Sequence, residues 1–163
     1  MTAKRNSFIQ EAEEAMAREI IEGPAHAFFA GIPVLRADEG DIAAAAERAL
    51  AETGLCLVCE VSGGPVPVCP GDAVPWTASV SIAEVPAVNR AGLTGKTADL
   101  ALEALLGAYA TEGRGLACFT AQQVESFRTP ERGVVGYTVT GEVHVMPLSD
   151  GAGGEASPFD PDF

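Results

Sequence analysis

The chain has 163 residues, 47% of them hydrophobic, with 23 acidic against 10 basic side chains and a net charge of −13. That length and apolar content suit one domain with a packed core. The charge argues against a surface of clustered Lys and Arg for nucleic acid or an anionic membrane. The N-terminal stretch lacks the apolar centre of a signal peptide, and no apolar run reaches the length that spans a bilayer. A cytosolic setting, with the four cysteines reduced, is therefore the expectation.

Taken in order, Asn6 or Ser7 caps a first helix that runs to about Glu22, before Gly23-Pro24. Phe8, Ala12, Ala15, Met16 and Glu19 fall on or near one face. This narrow stripe predicts an arm, within residues 1–29, that docks on a partner instead of on its own core. An apolar but loop-flanked stretch follows, with Phe28, Phe29, Ile32, Val34 and Leu35. Asp41 then caps an Ala-rich helix, Ile42–Glu52, whose buried face is Ile42, Ala45, Ala46, Ala49 and Leu50 and whose stop is Gly54.

A strand, Leu55–Val61, leads into Ser62–Pro75, which holds four Pro and three Gly and reads as a long exposed hairpin loop. The next strand, from Trp76 to about Val85, alternates Trp76, Ala78, Val80 and Ile82 with Thr77, Ser79 and Ser81. The stretch Val88–Thr111 holds a turn and the clearest helix of the second half, with Ala98, Ala101, Leu102, Leu105, Leu106 and Tyr109 on one face. Gly92 and Gly95 permit the turn, Thr94 or Thr97 caps the helix, and Gly113 and Gly115 stop it. A third strand covers Ala117–Arg128, its face of Phe119, Ala121 and Phe127 interrupted by Gln123 and Glu125. The fourth, Val134–Met146, alternates most regularly, and an acidic tail, 148–163, follows the core of residues 30–147. The expected fold is α+β: a mainly antiparallel four-stranded sheet with helices on one face, in the order α-α-β-β-α-β-β.

Candidate chemistry is sparse. Gly92–Thr97, GLTGKT, suggests a phosphate loop, but that loop needs a glycine five residues before Gly95, where Arg90 stands. The strand before it alternates, unlike the buried parallel strand such loops follow. A turn that starts a helix is the preferred reading over a nucleotide-binding domain. Cys56 and Cys59 form a C-x-x-C within a strand, where residues three apart face opposite ways, so buried thiols are preferred to a metal or redox module that would add Cys69 and Cys118. His26 and His144 stand without a neighbouring nucleophile motif. No catalytic, cofactor-binding or metal-binding residue is assigned, and no cofactor is expected.

Three runs carry a resemblance. AGIPVLRADEGDIAAAAERALAETGLCLVCEV at Ala30–Val61, VSIAEVPAVNRAGLTGKTADLALEALLGAY at Val80–Tyr109 and GYTVTGEVHV at Gly136–Val145 resemble small tailed-phage and prophage virion proteins. Their order is similar to that of the phage tail terminator (tail completion) family. The resemblance implies a non-enzymatic protein of the virion tail. It would form a ring, usually of six subunits, that caps the head-proximal end of the tail tube and joins it to neck or head-closure proteins. DNA would pass through the ring without specific binding. Another tail or neck component is the neighbouring alternative.

Overall fold

The computed structural model describes residues 8–38, 40–69, 72–90, 94–110 and 119–145. The expected caps Asn6 and Ser7, the glycines Gly92, Gly113 and Gly115, Cys118 and the acidic tail lie outside the described residues, as do the side chains of Phe8 and Tyr109. Among the described residues, five α-helices, α1 (Phe8–Glu22), α2 (His26–Phe29), α3 (Ile42–Thr53), α4 (Pro86–Asn89) and α5 (Ala98–Ala110), accompany five strands. The strands are β1 (Val34–Arg36), β2 (Leu55–Gly63), β3 (Val74–Glu84), β4 (Phe119–Thr129) and β5 (Val134–Val145).

The fold is α+β, but its sheet corrects the four-stranded antiparallel expectation. It has five strands in the order β1-β2-β3-β5-β4, and β1 runs parallel to β2 while the other pairs are antiparallel. A three-residue strand is too short to show alternation, and only its pairing with Leu57–Cys59 reveals it. The chain between β1 and β2 is α3, because parallel neighbours need a crossover.

The helices lie on both faces, which corrects their expected placement on one. Leu55, Leu57 and Cys59 of β2 join a large core with α1 and α5, whereas Cys56 joins Ala49 and Leu50 of α3 in a separate cluster. Period-two alternation sends these neighbours in β2 to opposite layers. The large core holds Val80, Ile82, Leu105, Val139 and Val143, with Trp76, Leu102, Leu106 and Tyr137 packed at its margin.

The first helix is part of that core, not a separate arm. Ala12, Met16, Ala17 and Ile20 are buried in it, at helical spacing i, i+4, i+5, i+8. Its buried stripe is rotated from the Phe8–Ala12–Ala15–Met16–Glu19 line toward Ala17 and Ile20, and Glu13 is buried beside it.

Local signals set most boundaries. Asp41 Oδ1 accepts the Ala44 N–H at 3.1 Å and opens α3. Gly54, at φ 79°, closes it, and a Cβ there would stand 2.5 Å from the Asn89 nitrogen. Thr97 Oγ1 accepts the Leu100 N–H at 3.2 Å and opens α5. The interruption at Gln123 is a bulge: β4 shifts register on β5 between Ala121 and Gln123. Gly141 lies opposite, where a Cβ would come within 1.9 Å of the Thr120 carbonyl oxygen.

Leu105 is fully buried between α5 and the sheet. Leu105→Ala is expected to lower the unfolding free energy by about 2–5 kcal/mol, the range for a deleted core leucine. Urea denaturation at neutral pH measures it, and an unchanged midpoint would remove α5 from the core.

Candidate functional site

β3 ends at Glu84, and the chain turns at once through α4 toward α5, so polar groups from several elements meet at this end of the sheet. Glu84 is buried, with Oε1 accepting the Ala98 N–H at 3.0 Å and Oε2 accepting Asn89 Nδ2 at 2.8 Å. The first free N–H of α5 is thereby satisfied. Asn89, also buried, donates its second amide proton to the Lys96 carbonyl and accepts from Thr94 Oγ1. Both amide protons of Asn89 and both oxygens of Glu84 are thus engaged.

Within Gly92–Thr97, the residues that are described, Thr94 to Thr97, all serve the start of α5. Thr94 Oγ1 accepts the Lys96 N–H at 3.3 Å, and Thr97 is the cap. Lys96 reaches away from any phosphate cradle: its Nζ donates to the Phe28 carbonyl and stands 4.8 Å from the centroid of the Phe28 ring. Phe28 itself meets Phe29 edge to face at 5.2 Å. The lysine is a clamp between α2 and the α5 turn. Sequence alone could not reveal this, because its partner is 68 residues away.

Beside the Glu84–Asn89 pair opens a cleft of about 690 Å³, walled by Arg90, Thr97, Asp99, Ser126, Arg128 and Tyr137 among others. The Tyr137 hydroxyl donates to Asp99 Oδ1, and this bond holds the phenol above its ordinary pKa. Two exposed guanidinium groups therefore line a cleft whose buried carboxyl group already has its donors. Neither histidine is there. His26 Nδ1 lies 3.0 Å from the Gly23 carbonyl oxygen beside α2, and His144 pairs with Pro75 at the opposite end of the sheet. Ser126 has no imidazole to activate it.

The cysteines are dispersed. Cys56 and Cys59 are buried on opposite faces of β2, and burial pushes their thiols up to about 11 and about 12. Cys69 is exposed, within the loop between β2 and β3. Among the described residues, no group of three or more His, Cys, Asp and Glu side chains could hold a metal ion.

A second polar constellation was not legible in the sequence. β1 stops pairing with β2 at Ala37, whose N–H donates to the Cys59 carbonyl at 2.9 Å, so the next inward N–H of β2 has no strand partner. Glu13 of α1 supplies the acceptor: Oε2 takes the Val61 N–H at 2.8 Å, and Oε1 takes the Asp38 N–H at 3.1 Å. Burial pushes the Glu13 carboxyl up to about 7, against the Val61 hydrogen bond and with help from Asp38.

Two outcomes test these roles. Lys96→Ala is expected to lower stability by about 1–2 kcal/mol through loss of the cation–π and carbonyl contacts. ATP with magnesium should leave the melting temperature of either protein unchanged, and a saturable rise abolished by Lys96→Ala would restore the phosphate-loop reading. For Glu13, the folded value lies above the unfolded 4.5, so its contribution is complete below about pH 4.5 and is lost as pH rises through about 7. The loss is at most about 3 kcal/mol. Urea denaturation between pH 4.5 and 8 should show this decline, flattened in Glu13→Gln.

Comparison with family models, with curated proteins and with solved structures yields no match to this chain.

Proposed function

We propose that this chain is a non-enzymatic assembly protein of a bacteriophage tail. It forms a ring, of six subunits in the family it resembles, that caps the head-proximal end of the tail tube and joins it to the neck. The observation that carries this reading is the outer edge of β4, which pairs with no other strand among the described residues. That strand ends the sheet, and from Gln122 to Ser126 its side chains are exposed on both faces. An edge so open in an otherwise packed domain is a template for further pairing. Side-by-side, head-to-tail contacts between copies close into rings.

Two further features support it. The sequence runs that resemble tailed-phage virion proteins cover β1, α3 and most of β2, then the second half of β3 through α5, then most of β5. The sheet face opposite α1 and α5 is also suited to a channel. Beyond α3 it carries Ser79, Ser81, Thr138, Thr140, Glu60 and Glu125, and its described strand residues include no Lys or Arg. Carboxylates repel phosphate, and a face without Lys or Arg offers DNA no ionic contacts to hold it. A tube or head-closure protein of the same tail is the neighbouring reading. A nucleotide-binding domain is disfavoured by the engagement of Lys96 with Phe28.

Mixing the protein with its cognate tail tube protein and viewing the product by electron microscopy tests the proposal. The expected outcome is a ring-like cap at one end of each tube and a narrower length distribution. Tubes of unchanged length with no added density at either end would overturn it.

A further inference from the structure

The loop between β2 and β3 contains Gly64-Pro65-Val66-Pro67-Val68, in which Val66 is 83% and Val68 95% exposed. Isolated exposed valines are ordinary, but this pair alternates with prolines, and the alternation has a backbone consequence. In an extended chain, every second residue presents its N–H and C=O to the same side. When this segment extends, Val66 and Val68 put theirs on one side, while Pro65 and Pro67 leave the other side without donors. Such a segment can join a sheet as an outermost strand and cannot be paired from beyond. Among the described residues, neither the Val66 nor the Val68 N–H has a partner within the chain. The base of the segment is anchored: Trp76 Nε1 donates to the Pro65 carbonyl at 3.0 Å.

We propose that Gly64–Val68 of one copy adds as a strand to the free edge of β4 in a second copy, and that this pairing joins neighbouring subunits. The proposal rests on the ring reading above and names its joint. The chain's own β4 is out of reach, because β3 and β5 stand between the loop and that strand, whose free edge faces away. Charge selects the same two surfaces. Copies that each carry −13 repel, so contact is favoured where charge is lacking. Ser62 to Cys69 has no charged residue, and neither has Phe119 to Val124 at the start of β4. The exposed Val124 offers an apolar neighbour for the arm valines. Loop and edge are different surfaces of the molecule, so the contact is head-to-tail and propagates around a ring.

The test removes backbone donors without touching the core. The double variant Val66→Pro/Val68→Pro deletes the two N–H groups, and Val66→Ala/Val68→Ala keeps them. Light scattering and native mass spectrometry follow association with concentration, and circular dichroism melting checks that each variant folds. The expected result is an oligomer for the parent and the alanine variant, with the dissociation concentration of the proline variant raised about tenfold or more. In a Cys69→Ser background, oxidation of a mixture of Val68→Cys and Gln123→Cys proteins should give a mixed disulfide dimer. An oligomer indifferent to the prolines and giving no mixed disulfide would overturn the arm pairing and leave the ring reading standing. A parent that stays monomeric, alone and with tube protein, would overturn both. Cross-linking of Val68→Cys to the tube protein in place of a second copy would also overturn the arm pairing.

Discussion

The packing of this domain depends on a buried pair, the Glu84 carboxyl group against the Asn89 amide. Asn89 sits where α3 ends, close enough to Gly54 that no side chain fits between them. Glu84 takes the first N–H of α5, and Asn89 holds the Lys96 carbonyl, so the pair fixes where α5 begins relative to β3. Lys96 then carries the connection to α2 through Phe28. Each buried polar atom here is matched, which is the condition for a polar group to stabilise a core instead of weakening it. If the pair were lost, the two helical layers would lose their common reference at the end of the sheet.

Glu13 performs a comparable task at the other margin, where β1 leaves β2. A parallel strand that stops short orphans an N–H of its neighbour, and a side chain from α1 replaces the missing carbonyl. This explains why α1 belongs to the core although its apolar stripe is modest. Its docking combines the burial of Met16 and Ile20 with satisfaction of a backbone donor. A carboxyl group used in this way is held in a poorly hydrated place, where the protonated form gains at the expense of the charged one.

These internal constraints leave the outer sheet edge free. β4 bulges at Gln122, the side chains from Gln122 to Ser126 are exposed, and no described element lies outside the strand. Glu84, Asn89 and Glu13 spend their buried polar atoms inside the domain, whereas the eleven-residue β4 has no described strand on its outer side, the kind of edge at which sheets can be extended.

Local chemistry determined much of the fold from the sequence alone. Asp41 and Gly54 bound α3, Thr97 opens α5, and the alternation in β3 and β5 marks their buried faces, because caps, left-handed glycines and period-two patterns act over a few residues. The hairpin loop was legible through its prolines, and the irregularity of β4 through Gln123 and Glu125. Tertiary structure decided what depends on distant partners. β1 is a strand because β2 lies beside it, α1 is a core helix because Val61 and Asp38 need the Glu13 carboxyl group, and Lys96 is a clamp because Phe28 comes to it. Three residues cannot display a period, and a lone Glu or Lys in sequence does not disclose which backbone group, dozens of residues away, will be left without a partner.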